Sequence, residues 1–347
     1  MARPLDQIAI SVHELVPYLV GNTQADKAHA LLEQQKRSWD MLRNGYDTLR
    51  TVRTRVLDFD SFQIKVQFNP GRLISTIARV DPVSIRERKC FLCPENLPLA
   101  QRGLPYDSEY LVLCNPFPIF PEHFTISSVR HTPQLIRDGF AAFLNLTRDL
   151  GTRYTTLYNG PNCGASAPDH LHFQSGTRSY LPIDTEYDTL KQNRATSLVA
   201  SGLLRAYYLD NYLRGVLTFE SREMLLVQRA FDALYEVLQQ DGLPGEEPML
   251  NILATHDDGT WRIHVFPRAR HRPSFYLKEG DEQLLLSPAA VELGGICTTP
   301  RERDFDKVTR DHIVQMYREV CFPPERLGAI AERLAPRLAA LVSGAQA

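Results

Sequence analysis

The 347-residue chain is 43% hydrophobic and 23% charged, a soluble globular composition long enough for one large domain or two modest ones. Its formal net charge of -2 argues against a non-specific nucleic-acid binder, which carries a basic excess, yet leaves room for a small anionic substrate served by a few local arginines. Acidic Asp6 and Glu14 interrupt the N-terminal stretch, so it does not read as a signal peptide, and no segment approaches the ~18 apolar residues of a membrane span. Six cysteines are too sparse for a disulfide scaffold and point to a reducing cytoplasm.

In chain order, a polar helix is expected over residues 26–42, with Ala30, Leu31, Trp39 and Leu42 on its apolar side. Two alternating segments, 49–59 and 61–68, read as a hairpin or sheet edge, followed by the turn "NPGR" and a connector carrying "CFLC". Strand "YLVLCN" leads through Pro-rich "PFPIFPE" to strand "HFTISS", then to a helix over residues 132–150. Strand "YTTLYNG", a small-residue loop and strand "HLHFQSG" complete this part.

Past Ser201 the order recurs. Strands "LLRAYYL" and "RGVLTFE" precede a helix over 221–240, the breaker "DGLPGEEP", and strands "MLNILAT" and "WRIHVFP". Strand, strand, helix, strand, strand thus occurs twice, as an internal duplication would produce. Superposing the last strands sets His172 on His264, His170 on Arg262 and Gln174 on Phe266, so the second copy lacks the polar triplet. Loop, strand and two helices, at 306–320 and 324–341, close the chain. The expected class is α+β, two duplicated halves in a mostly antiparallel sheet with flanking helices. An N-terminal helical segment (1–50), a first half (51–200) and a second half (201–347) make up the chain.

In a strand, residues two apart share a face, so His170, His172 and Gln174 form one row while Leu171 and Phe173 turn to the core. An imidazole is a competent nucleophile towards phosphorus near neutral pH, and a carboxamide can steady phosphate oxygens without adding negative charge. A solvated strand face would look the same. The loop "YNGPNCGASAPD" favours the chemical reading: Gly160, Gly164, Ala165 and Ser166 allow close backbone approach, and Asn159, Asn162 and Ser166 can donate to phosphate.

Cys90 and Cys93 offer two corners of a tetrahedral zinc site, with His131 and His170 as candidates for the others; inert buried cysteines or a redox pair remain open. Lys65, Gln67, Asn69 and Arg72 alternate into a glycine turn and could reach an anion. Arg268, Arg270, His271 and Arg272 form a basic cluster that could neutralise phosphates or simply be solvated.

"PEHFTISSVRH", a helix, a strand and then "HLHFQ" together resemble the histidine triad superfamily. Gln174, where triad hydrolases carry a third histidine, is similar to the nucleotidyltransferase and phosphorylase branch, which includes galactose-1-phosphate uridylyltransferase, GDP-L-galactose phosphorylase and diadenosine tetraphosphate phosphorylase. "CFLC" resembles the uridylyltransferase zinc motif, and "QFNPGR" and "SPAAVELGGICTTPRERDFD" resemble the GDP-hexose phosphorylases.

The resemblance implies two histidine-triad-like halves and a ping-pong reaction on a nucleoside diphosphate hexose, with diadenosine polyphosphate phosphorolysis as the alternative. Nucleotide hydrolysis and a non-enzymatic nucleotide-binding module rank lower. His172 would be the nucleophile, with Ser166 and backbone N–H groups stabilising charge. Gln174 would hold the nucleotidyl phosphate without helping water displace it, and His170 would orient the site, directly or through a structural zinc. His123 aligns with a histidine behind the triad. Asn159, Gly164, Ala165, Arg72 and Lys65 complete the expected phosphate contacts. A homodimer, without nucleic-acid or membrane partners, is also implied.

Overall fold

The computed structural model describes residues 4–77, 80–209, 212–242 and 246–346. Part of the breaker near residue 245 lies outside them. Near the N-terminus, α1 (Gln24–Ser38) starts at Thr23, whose hydroxyl accepts from the Asp26 amide, as capping requires. The expected single helix is broken at Trp39, which has extended backbone, and α2 (Asp40–Leu49) continues from there.

Two sheets follow. The small one joins β1 (Arg53–Asp58), β2 (Gln63–Phe68) and β13 (Ile296–Thr299), with β2 antiparallel to β1 and parallel to β13. The large one collects, in chain order, β3 (Gly103–Tyr106), β4 (Tyr110–Cys114), β5 (His123–Ser128), β6 (Tyr154–Asn159) and β7 (His172–Thr177) from the first half. The second half adds β8 (Thr196–Ala200), β9 (Arg205–Leu209), β10 (Val216–Ser221), β11 (Leu250–Asp257) and β12 (Thr260–Pro267).

The spatial order of these ten strands is β3-β4-β5-β7-β6-β11-β12-β10-β9-β8, a palindrome about the β6–β11 pair. Each half repeats the same arrangement, as the sequence order suggested, and every described pairing in the sheet is antiparallel. His172 lies opposite Ser127 across β5 and β7, as His264 lies opposite Thr218 across β10 and β12.

Alternation along the strands sends successive residues to two different cores. Tyr158, Phe173 and Ile252 face α3 (Ile136–Leu150) and α5 (Met224–Gln239), whose Phe140 and Phe231 rings stack with centroids 3.8 Å apart. Leu157 and Leu253 face the opposite core, with α4 (Pro182–Arg194), the small sheet and α7 (Arg310–Val320). Helix α6 (Glu302–Lys307) covers the small sheet, and α8 (Pro324–Gln346) packs on α5 and β8. The edge strands β3 and β8 and helix α4 carry no periodicity strong enough to stand out in the sequence.

Two buried polar groups brace the fold, one within the second half and one between the halves. Arg268 is 1% exposed, and its guanidinium donates to Val320, Pro288, Arg270 and His271 carbonyls and to Asn251 Oδ1. All five of its N–H donors are thereby used. Glu247, from the second half, accepts from the Ile136 amide at the start of α3 (2.6 Å) and lies 2.6 Å from the Tyr158 hydroxyl.

Replacing Arg268 by methionine leaves those acceptors buried without a donor, an expected loss of about 3 kcal/mol or more in urea denaturation. Burial pushes the Glu247 carboxyl from 4.5 up to about 7, so the folded chain holds that proton more tightly than the unfolded one. Stability should therefore fall as pH rises across that interval, and Glu247→Gln should lose less between about pH 5 and about pH 8 in the same measurement.

Candidate active site

The row on β7 is shaped by backbone groups that fix the tautomer of each histidine. His172 Nδ1 lies 2.8 Å from the His170 carbonyl, which can only accept, so Nδ1 carries the proton and Nε2 keeps its lone pair. His170 Nε2 lies 2.8 Å from the Ser128 carbonyl, so its Nδ1 keeps the lone pair. His123 Nδ1 accepts from the Ile119 amide (3.3 Å), so its Nε2–H donates to Gln174 Oε1 at 2.9 Å. That bond orients Gln174: its carbonyl points back to His123 and its amide N–H groups remain for the cavity. Burial lowers His172 to about 4 and His123 to about 3, keeping both neutral.

The loop after β6 is clamped by the second half. Asn159 Oδ1 accepts from Asn251 Nδ2 and from the Ala290 amide, both at 2.8 Å, and Asn251 Nδ2 also donates to the Cys163 carbonyl at 2.8 Å. Gly164 has φ +95°, and a Cβ there would meet the Ala289 methyl at 2.5 Å, so only glycine lets the loop pass under the second half. Asp169 is paired with Arg88 at 2.8 Å, which also ties the connector to the loop.

Cys90, Cys93, His131 and His170 come together with their ligand atoms all within 4.8 Å of one another. Cys90 Sγ lies 3.3 Å from His170 Nδ1, and Cys93 Sγ lies 3.1 Å from His131 Nδ1. Two thiols and two imidazoles in this spacing fit a tetrahedral zinc, and the His170–Ser128 bond orients the ring as a metal-bound histidine needs. Without such a cation, burial and the neighbouring Cys90 thiol push Cys93 up to about 12.

Two cavities meet at Arg72, Ser166 and Gln174. One is apolar, walled by Trp39, Met41, Phe91, Pro98 and Phe117, and includes His172. The other is polar and lined by both halves: His271, Arg272, Ser287, Glu292 and Thr298 from the second, and Asn159 and the 164–166 loop from the first. Glu292 is buried and accepts from the Ala289 and Thr298 amides, while Thr298 Oγ1 is buried without a hydrogen-bond partner among the described residues.

His170, His172, Gln174, Ser166, Asn159, Gly164, Ala165, Arg72 and His123 thus converge on one region, with His123 behind Gln174 rather than in the cavity. Lys65 departs from the expected phosphate contacts: its ammonium sits against the Tyr180 ring and carbonyl and lines neither cavity. The basic cluster divides. Arg268 is internal, Arg270 faces Glu319 at 3.6 Å, and His271 and Arg272 line the polar cavity. His264 is buried, bonded to Thr218 Oγ1 at 2.9 Å, with the Tyr187 ring 4.5 Å away, a core histidine rather than a second site.

Sequence reasoning missed the apolar wall, because Trp39 passed for a helix core position and Phe91 and Phe117 sit in segments without period. It also missed Glu292 and Thr298, whose place depends on β13 joining β2.

Residues 31–177 match the family model described as a domain of unknown function (DUF4922), and residues 187–339 match the GDPGP1-like, C-terminal domain. Yeast Ap4A phosphorylase Apa2 shares the fold with a TM-score of 0.52 and 19% identity, over 82% of this chain and 94% of that one. The same enzyme in complex with AMP gives 0.53 and 20%, over 84% and 97%. No curated protein matches the sequence significantly.

Metal analysis of the purified protein is expected to give about one zinc per chain through the four donors. Cys90→Ser should lose the metal and melt at lower temperature. Metal-free wild-type protein with an equally stable Cys90→Ser variant would remove the site.

Proposed function

We propose that the chain, which resembles the nucleotidyltransferase and phosphorylase branch of the histidine triad superfamily, splits a nucleoside diphosphate hexose through a nucleotidyl-histidine intermediate. The observation that carries this reading is the meeting of an apolar and a polar cavity beside His172 and Gln174. A nucleoside fits the ring-walled cavity, and a hexose phosphate fits the polar one.

His172 Nε2 attacks the α-phosphorus, the bond from that phosphorus to the bridging oxygen breaks, and hexose 1-phosphate leaves with the bridging electron pair. The new N–P bond makes the ring cationic, and the His170 carbonyl that holds Nδ1–H stabilises that charge. Ser166, the Gln174 amide and Arg72 donate to the phosphoryl oxygens. A phosphate oxygen, inorganic or on a sugar, then attacks the same phosphorus from the vacated side and breaks the N–P bond. Gln174 brings no acid to this step, which favours phosphate over water as acceptor.

The second reading, phosphorolysis of a diadenosine polyphosphate, is favoured by the fold shared with yeast Ap4A phosphorylase. Its second adenine would have to lie in the polar cavity, whose described walls carry no Phe, Tyr or Trp for stacking. Zinc at Cys90, Cys93, His131 and His170 would supply structural rigidity to the base of β7. Residence in the cytoplasm suits six free cysteines, no described helix is long and apolar enough to cross a membrane, and a homodimer follows from the resemblance.

Incubation with inorganic phosphate and a panel of nucleoside diphosphate hexoses and dinucleoside polyphosphates tests the substrate class; turnover confined to dinucleotides reverses the order of the two readings. Labelled donor should leave an acid-labile adduct on wild type and none on His172→Ala; an adduct surviving that change moves the nucleophile elsewhere. Gln174→His should raise the share of product formed by water by ~10-fold or more, since it restores an acid beside the phosphate.

A further inference from the structure

Gln134 lies in the segment between β5 and α3, where the sequence suggests the first turn of a helix. The helix instead begins at Ile136, and residues 132–135, bent at Gln134, pass beside the end of β7. Thr132 O accepts from the Leu171 amide at 2.7 Å, and the Gln134 amide donates to Pro168 O at 3.3 Å. The Gln134 side chain is completely buried.

Its carboxamide enters the sheet. Strands β6 and β7 pair from Tyr154–Thr177 to Leu157–Gln174 and then separate, just short of His172. In the gap, Gln134 Oε1 accepts from the His172 amide at 2.7 Å, while Nε2 donates to His172 O at 2.9 Å and to Asn159 O at 3.0 Å. One side chain therefore holds both backbone polar groups of His172 and the last carbonyl of β6. It replaces the missing strand partner, and by keeping the strands apart it leaves room for the 160–171 loop.

A buried glutamine is ordinarily explained by hydrogen-bond satisfaction alone. Here all three bonds fall on the residue that carries the nucleophile and on the residue that opens the phosphate loop. The Gln134 segment is itself fixed: Tyr158 Oη lies 3.0 Å from Gln134 O and 2.6 Å from Glu247, which also accepts from the Ile136 amide.

We propose that Gln134 is a positioning residue for the reaction, setting where His172 stands relative to the α-phosphorus by bonding both its backbone N–H and C=O. The inference rests on the reading in which His172 is the nucleophile. Displacement of a nucleophile by about 1 Å costs on the order of 100-fold in rate, while substrate affinity depends on the cavity walls, which Gln134 does not line.

Single-turnover adduct formation on the wild-type chain comes first, with a labelled nucleoside diphosphate hexose; absence of adduct there defeats the reading of His172 and the proposal with it, a result distinct from failure of Gln134 alone. With adduct established, Gln134→Met, which keeps the side chain's length and removes its polar atoms, is expected to slow adduct formation at saturating donor by about 100-fold. Nucleoside diphosphate affinity, measured by calorimetry, and KM should stay within about threefold, a separation that global loosening would not give.

Gln134→Glu retains an acceptor for the His172 amide and is expected to fall between wild type and Gln134→Met, at about 10-fold below wild type. It carries the test alone should the methionine variant not fold. A folded variant of either kind with wild-type adduct rate overturns the proposal, as does a rate loss matched by an equal loss of nucleotide affinity.

Discussion

The pairing of β6 with β11 is the constraint on which the rest depends. It turns two half-sheets into one and sets Asn159 directly opposite Asn251 at the centre of a palindromic strand order. From that single register follow the Asn251 bonds to the 160–171 loop, the seating of Arg268 behind Asn251, and the arrival of Ala289 over Gly164. Had the halves met through side chains alone, the loop before β7 would be held from one side only. Backbone pairing is the more exacting join, because a one-residue slip would send Asn251 to the other face of the sheet.

A second theme is the use of main-chain atoms to set side-chain chemistry. Carbonyls of His170 and Ser128 and the amide of Ile119 decide which nitrogen is protonated on three histidines. A carbonyl partner differs from the carboxylate often found behind a reactive imidazole. It holds the ring and shares its developing charge, but leaves the histidine uncharged while it waits. His170 stands at the crossing: its ring belongs to the Cys90, Cys93 and His131 cluster, its carbonyl to His172.

Much of this was legible because local chemistry dictated it. Period-two alternation marked β1, β2 and the His170–Gln174 row on β7, and the repeated strand and helix order disclosed the duplication. "CFLC" and the H-x-H-x-Q row disclosed the side chains that gather at the site. What escaped depended on contacts far apart in sequence. Trp39 forms a cavity wall only because the helix breaks there, and Glu292 reaches the polar cavity only because β13 lies along β2. Gln134 was hidden for a different reason: an irregular segment bonded edge-on to a strand end has no periodicity, and "TPQLIRD" reads as a helix start. Lys65 showed the converse failure, in which alternation placed a cation on a strand face but could not say that an aromatic ring already occupied its reach.

His264 shows what the duplication left behind. The second copy retains an imidazole where the first has His172, but Thr218 and Tyr187 close over it, and no counterpart of Gln174 remains. That half furnishes His271, Arg272, Glu292 and Thr298 around the polar cavity, where the proposed reaction would place the departing group. In that reaction, attack falls to β7 while selection is shared with the 271–298 stretch. Drift in the 271–298 stretch can retune which molecule is released while the machinery on β7 stays as it is, so one scaffold can be passed from substrate to substrate without being rebuilt at its reactive end.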